Sequence, residues 1–207
     1  MSILSKSLER IKPSPTISVT QKARELKAKG ADIISLGSGE PDFDTPDNVK
    51  SAAIEAIKNG QTKYTAVDGT VDLKNAIISK FKKENNLTYE KNQISVGAGG
   101  KQVIYNAFLA TINSGDEIII PSPFWVSYPD IVLLAGGIPK IIECGEENNF
   151  KLTAKSLKKN ITQRTKWLII NSPGNPTGSC YSEQEINELV DVLVKYPKIL
   201  IMSDDIY

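Results

Sequence analysis

The stretch KWLIINSPGNPTG, residues 166–178, joins a short apolar run to a loop rich in proline, glycine and asparagine. The run from Trp167 to Ile170 is short and is followed by turn residues, which is typical of a buried strand. Two prolines and two glycines within residues 171–178 predict a turn of fixed geometry. The two asparagines of this loop can hydrogen-bond an oxygen held above the strand end.

The same junction of apolar run and polar or glycine-rich loop recurs along the chain. Apolar runs alternate with segments of helical period at 101–112 and 183–194, which predicts an α/β fold with a doubly wound, mainly parallel sheet. Ligands of such sheets bind beyond the carboxyl ends of the strands, so we expect the loops to line one crevice. The predicted strands are QISV (93–96), EIII (117–120), IPKIIEC (138–144), KWLII (166–170) and ILIM (199–202), and the loops are GAGGKQ (97–102), PSPFW (121–125), NSPGNPTG (171–178) and SDDIY (203–207).

Two helices are predicted before these strands. In residues 45–60 Thr45 is the expected N-cap, Pro46 lies in the first turn and Gly60 ends the helix. A second helix is expected from Val71 to Asn85, with its apolar residues on one face.

Each loop also has an ordinary structural interpretation. GAGGKQ lacks the spacing of a P-loop and the last glycine of a dinucleotide fingerprint, although nucleotide binding stays a minor alternative. It can be a plain turn, or it can present backbone N–H groups to a phosphate at a helix start. PSPFW can be a proline-stiffened loop with a buried Trp125. Asp204 can be a helix cap and Tyr207 a core aromatic.

Composition limits the possible functions. The 207 residues are 40% hydrophobic and carry a net charge of +1 in dispersed positions, which disfavours nucleic acid and membrane surfaces as partners and favours a small-molecule ligand. No apolar run approaches the roughly 18 residues of a membrane span, so the cytoplasm is the expected compartment. The chain has two cysteines and no histidine, which removes His-based catalysis. No metal site is predicted.

Taken together and in order, the motifs resemble one family. LGSGEPDFDTP (36–46), KYTAVDGTVDLKNAI (63–77), VGAGGKQVIYNA (96–107), SPFWVSYPD (122–130), NSPGNPTG and SDDIY are similar to those of class I, fold-type I aminotransferases. The nearest likeness is to bacterial aspartate aminotransferases of the aspartate/prephenate branch, and it covers residues from about 11 to 207.

The resemblance implies pyridoxal 5'-phosphate as cofactor. By the family pattern Asp204 holds a proton on the ring nitrogen, and this fixed carboxylate keeps the cofactor an effective electron sink. Asn175 and Tyr207 then hydrogen-bond the phenolic oxygen, and Trp125 stacks on the ring face. The implied phosphate ligands are Gly99, Gly100 and Lys101.

The resemblance also implies the substrates and a shared site. Amino acids and 2-oxo acids are the expected substrates, and Tyr64 reaches the phosphate of a neighbouring subunit's cofactor, so a homodimer is expected of the full-length protein. Gly39, Trp125 and Asn175 are the implied substrate-binding residues. Lys12 is a further candidate for the distal carboxylate of a substrate.

In the family, the Schiff-base lysine and the substrate-binding arginines follow the SDDIY position. The resemblance therefore implies a truncated chain, with an N-terminal arm and small-domain segment at 1–44 and a partial cofactor-binding large domain at 45–207. No catalytic residue is assigned, and the chain alone is expected to be inactive. An incomplete sequence, an interrupted gene and half of a split enzyme are three explanations. The alternatives to aspartate transamination are prephenate transamination and a non-catalytic fragment that binds cofactor or dimerises.

Overall fold

The computed structural model describes residues 3–37 and 39–207, which divide into two compact units. We call Met1–Ser14 together with Ile104–Tyr207 the sheet unit, and Pro15–Val103 the helical unit. The division falls inside one helix, and the expected boundary near residue 44 stays a prediction. The helices are α1 (Pro15–Ala28), α2 (Asp47–Lys58), α3 (Val71–Asn85), α4 (Gly100–Thr111), α5 (Ser127–Leu134), α6 (Ala154–Asn160) and α7 (Glu183–Leu193), with short 3-10 helices at Lys6–Arg10, Lys91–Gln93 and Glu146–Asn148.

Among the described residues, four of the five apolar runs predicted as strands form parallel strands, all in the sheet unit. They are β1 (Glu117–Ser122), β2 (Ile138–Glu143), β3 (Thr165–Asn171) and β4 (Leu200–Asp204), and their order across the sheet is β2-β1-β3-β4. The chain leaves β1 toward β2 and then returns to the other side of β1 to form β3. The sheet therefore reverses its winding between β1 and β3, which is where ligands bind in doubly wound sheets.

Alternate residues of each strand point to opposite faces of the sheet. Helices cover both of these faces. On one face Ile119 and Leu168 pack with α6 and α7, and on the other Ile118 and Ile120 pack with α4 and α5. This confirms the α/β, doubly wound class. The first core also contains Ile142, Cys144, Leu152, Leu157, Leu189, Val192 and Leu193, and the second Phe108, Ile112, Tyr128, Ile131, Val132 and Ile169.

A buried carboxylate ties three strands together at their amino ends. Glu117 of β1 accepts hydrogen bonds from Thr162 at 2.7 Å, from Lys140 at 3.2 Å and from the Arg164 guanidinium at 2.5 and 3.0 Å. Burial by itself raises the pKa of Glu117, but these three donors outweigh it and hold the pKa below its ordinary value.

The helical unit is held by different contacts. Lys74 of α3 is buried, where its ammonium group bonds the Asp68 carboxylate and donates to the Lys91 carbonyl at 3.3 Å. The bond from Lys74 lowers the pKa of Asp68. Thr70 caps α3 by accepting the Leu73 N–H at 3.4 Å, so the helix predicted from Val71 to Asn85 is confirmed.

Two local predictions were wrong. Thr45 does not cap α2, because Pro46 occupies the N-cap position and the helix begins at Asp47. Residues 93–96 do not form a strand, since no strand of the described residues pairs with them. The Val96 N–H instead donates to the Asp68 carbonyl at 3.1 Å, a single loop contact rather than a ladder.

The N-terminal segment of the sheet unit packs on α5. The 3-10 helix Lys6–Arg10 contacts α5, and Arg10 donates from its guanidinium to the Leu133 carbonyl at 3.4 Å. Within residues 3–37 and 39–207, no helix has the length and apolar content of a membrane crossing.

Candidate functional site

The carboxyl ends of β1, β3 and β4 bring together four of the predicted cofactor residues. Trp125 follows β1, Asn175 follows β3, Asp204 ends β4, and Tyr207 lies three residues further on. In the parallel register Asn171 pairs with Asp204, so the ends of β3 and β4 lie side by side. The carboxyl ends of β1, β3 and β4 and the loops after them thus carry the polar groups that the sequence analysis predicted there.

Asp204 is held by a buried tyrosine. The hydroxyl of Tyr128 donates to Oδ2 of Asp204 at 2.5 Å, and Tyr128 is 2% exposed. Its burial raises the pKa of Tyr128, and the bond to Asp204 raises it further, so the hydroxyl keeps its proton. The ring of Tyr128 also meets Trp125 edge to face, with centroids 5.3 Å apart.

Asn171 links the strand ends to the loop. Its Nδ2 donates to the Asp204 carbonyl at 2.8 Å, and its Oδ1 accepts the Asn175 N–H at 2.7 Å. The side chain of Asn175 in turn donates to the Tyr207 hydroxyl at 2.8 Å. Asn175 and Tyr207 therefore converge, and their predicted bonds to one ligand oxygen stay a prediction.

The residues predicted to bind phosphate lie at the start of α4, on the helical-unit side of the division. Gly99 has a φ of +94°, a left-handed conformation that favours glycine, and α4 begins at the next residue. Gly99, Gly100 and Lys101 are all exposed. N–H groups at a helix start suit an anion. The Gly99 N–H donates to the Gly97 carbonyl at 2.9 Å, and the phosphate role of the three residues stays a prediction.

The remaining predicted residues lie at the surface. Tyr64 and Gly39 are exposed residues of the helical unit, and Lys12 is an exposed residue of the sheet unit. Their predicted contacts to a partner's phosphate and to substrate are therefore neither supported nor opposed by contacts within the chain, and they stay predictions.

Tyr128 and Asn171, which both hydrogen-bond Asp204, were not among the predicted cofactor- and substrate-binding residues. Tyr128 lies three residues after Trp125, a spacing that brings the two rings together, but its hydroxyl partner is 76 residues further along the chain. Asn171 stood out as a possible hydrogen-bonding group of its loop. Its actual partners depend on the pairing of β3 with β4, which no local pattern encodes.

A small cavity of about 30 Å³ lies beside Tyr128, Asn171 and Asn175. It has room for a water molecule. Within the described part of the chain, no group of three or more Cys, Asp or Glu residues is arranged to hold a metal ion.

Comparison with known proteins gives a consistent result. The sequence model of the family described as "Aminotransferase class I and II" matches residues 31–207. A probable aspartate/prephenate aminotransferase of Rickettsia felis is 60% identical over 207 residues, covering all of this chain and 51% of that protein. The aspartate/prephenate aminotransferase of Cereibacter sphaeroides is 59% identical over the whole chain and 52% of its own length.

Solved structures agree with this result. The aspartate aminotransferase of Rhizobium meliloti is 44% identical with a TM-score of 0.95, covering all of this chain and 52% of that one. The Thermus thermophilus aspartate aminotransferase, solved with maleate, is 42% identical with a TM-score of 0.95 and is covered over 54% of its length. The chain spans about half the length of the relatives it matches.

Proposed function

The chain belongs to the aminotransferases of class I and II, and from this premise we propose that it forms part of an enzyme that uses pyridoxal 5'-phosphate to move amino groups. The proposed reaction exchanges the amino group of aspartate or glutamate with a 2-oxo acid. The observation that carries the proposal is the convergence of Asp204, Asn175 and Tyr207 beside Trp125 at the strand ends.

The donors and acceptors at the strand ends fit this cofactor. A carboxylate suits a protonated ring nitrogen, and Asp204 presents one that is already held on Oδ2 by Tyr128. The Asn175 amide and the Tyr207 hydroxyl are 2.8 Å apart and suit the phenolic oxygen. When bound, the cofactor supplies an electron sink that weakens the bonds to the substrate α-carbon.

The residues of the chain have separate proposed tasks. Asp204 keeps a proton on the ring nitrogen, and Trp125 provides a flat apolar face that fixes the ring orientation. Gly99, Gly100 and Lys101, at the start of α4, bind the phosphate.

Substrate binding and assembly complete the proposal. Gly39 allows a close approach of the substrate, with Trp125 and Asn175 beside it and Lys12 toward a distal carboxylate. Tyr64 binds the phosphate of the partner subunit's cofactor in a homodimer.

We propose that these 207 residues by themselves do not catalyse transamination. The site as proposed contains no lysine at the reacting end of the cofactor, since Lys101 is assigned to the phosphate end. Loss of the anchoring base removes proton transfer at the substrate α-carbon. A polypeptide of residues 1–207 is therefore expected to bind cofactor without covalent attachment and to give no measurable transamination.

Prephenate is a second candidate substrate. The relatives in Rickettsia felis and Cereibacter sphaeroides are named for both aspartate and prephenate, and this supports a site that accepts both carboxylic acids. Formation of oxaloacetate from aspartate and of arogenate from prephenate, measured on the protein as its source makes it, separates the two activities.

Asp204→Asn tests the proposal, with Asp205→Asn as the matched control. We expect the first variant to bind pyridoxal 5'-phosphate roughly ten- to hundred-fold more weakly, because it loses a charge-assisted hydrogen bond to the ring nitrogen. Asp205 is exposed and accepts from the Ser203 hydroxyl at 2.7 Å, so its variant should bind like the wild type. Equal binding by both variants, measured by equilibrium dialysis, would contradict the assignment of Asp204.

A further inference from the structure

Tyr128 contacts both groups that are proposed to hold the cofactor ring. Its hydroxyl donates to Oδ2 of Asp204 at 2.5 Å, and its ring lies edge to face with Trp125 at an interplanar angle of 83°. Tyr128 lies at the start of α5 and is 2% exposed, so the surrounding core fixes its position. The Asp204 carboxylate and the Trp125 indole therefore share one rigid neighbour.

The direction of the hydrogen bond is fixed by chemistry. A buried tyrosine beside a carboxylate keeps its proton, so Tyr128 acts as the donor and Asp204 as the acceptor. The bond uses Oδ2 and leaves Oδ1 as the oxygen that can accept a hydrogen bond from a ligand. It also restrains the rotation of the Asp204 side chain, which reduces the entropy that this side chain loses when a ligand binds.

We propose that Tyr128 is a positioning residue that fixes the Asp204 carboxylate for a protonated ring nitrogen. This inference rests on the proposed function. Tyr128 itself touches neither substrate nor the reacting atoms, and it acts through the oxygen that it holds. Asn171 supports the same placement from the main chain by bonding the Asp204 carbonyl at 2.8 Å.

The test compares Tyr128→Phe with Tyr181→Phe in the protein as its source makes it. Tyr181 is also a tyrosine of the sheet unit whose hydroxyl is engaged, since it accepts the Leu152 N–H at 2.8 Å, and burial raises its pKa to about 12. Each variant is titrated by equilibrium dialysis with pyridoxal 5'-phosphate and with its deaza analogue, in which carbon replaces the ring nitrogen. Both ligands share the phosphate and the ring face, and they differ at the atom assigned to Asp204.

Positioning through Asp204 predicts a selective loss. Tyr128→Phe should weaken binding of pyridoxal 5'-phosphate roughly three- to ten-fold and leave the deaza analogue unchanged, while Tyr181→Phe changes neither. An equal loss for both ligands at Tyr128→Phe would overturn the inference, because it would show a packing role. A wild-type protein that binds neither ligand would overturn the proposed function, and this role with it.

A second measurement tests the bond itself without any ligand. The urea midpoints of Tyr128→Phe, Asp204→Ala and the double variant form a double-mutant cycle. A shift in the double variant that is smaller than the sum of the single shifts supports the bond. Additive shifts would show that the two side chains are not coupled, and they would overturn the inference whatever the dialysis gives.

Discussion

The sheet unit and the helical unit use the same apolar residue types in opposite ways. Among the described residues, all buried apolar side chains lie in the sheet unit, whereas the buried residue of the helical unit is the charged Lys74. Ile119 of β1 is fully buried, while Ile54 and Ile57 of α2 are 54% and 65% exposed. A parallel sheet is covered on two faces by its own crossover helices, but an amphipathic helix needs a partner for its apolar face.

The largest expected effect is on the free energy of unfolding, and it compares one apolar position in each unit. Leu168→Ala should lower the free energy of unfolding by about 2–5 kcal/mol, because Leu168 is fully buried in β3. Ile57→Ala, the control in α2, should change it by less than about 0.5 kcal/mol. Urea unfolding followed by circular dichroism measures both. A comparable loss at Ile57 would break the comparison by showing that α2 is covered in solution.

The next effect concerns the buried carboxylate of the sheet unit. Glu117→Gln should cost about 1–3 kcal/mol at pH 7, because Lys140 and Arg164 lose a charged acceptor that is 5% exposed. The pKa of Glu117 is lowered in the folded state, so this contribution is fully present above the ordinary glutamate value of 4.5 and is lost as the pH falls below it.

Unfolding midpoints measured at pH 7 and pH 3 test this sign. The difference in unfolding midpoint between the wild type and Glu117→Gln should become smaller at the lower pH. Glu143→Gln, an exposed position in β2, is the control and should show a small gap at both values. A gap for Glu117→Gln that widens in acid would contradict the assignment.

The smallest effect concerns the ion pair of the helical unit. Lys74→Met keeps an apolar stem in place and removes the bonds to Asp68 and to the Lys91 carbonyl. Because the Asp68 side chain is half exposed, we expect only roughly two- to five-fold faster amide exchange at Val96, whose N–H donates to Asp68.

Lys80→Met is the matched control for this prediction. Lys80 lies on the same helix and pairs with Glu84 at 3.5 Å, with a side chain that is 52% exposed. Exchange at Val96 should stay at the wild-type rate in this variant. Exchange that accelerates across β1–β4 in Lys74→Met would show that the two units do not respond separately.

The strands of the sheet unit were predictable from sequence because each is a short apolar run bounded by turn residues. EIII, KWLII and ILIM became β1, β3 and β4, since their hydrogen-bonding partners lie within the chain. QISV has the same local pattern and is not a strand, because pairing depends on a distant partner and not on the run itself. Pro46, and not Thr45, occupies the N-cap position of α2. A shift of one residue at a helix end depends on backbone geometry, which the local sequence pattern does not specify.

The candidate site was predictable in part for a related reason. Asp204, Asn175 and Trp125 belong to the polar segments that follow apolar runs, so their place near the strand ends follows from the parallel topology. The role of Tyr128 was not predictable, because an apolar helix with a tyrosine at its start is the ordinary pattern of a core aromatic. Only the fold brings its hydroxyl to a carboxylate 76 residues away.

Asn171 restricts which substitutions this region of sequence can accept. One amide both donates to the Asp204 carbonyl and accepts the Asn175 N–H, so the position needs a donor and an acceptor on a side chain of one length. Aspartate keeps the acceptor and loses the donor, and leucine keeps the volume and loses both. Gln has both groups on a side chain one methylene longer. We therefore expect residue 171 to tolerate few substitutions, although the residue itself carries out no chemistry.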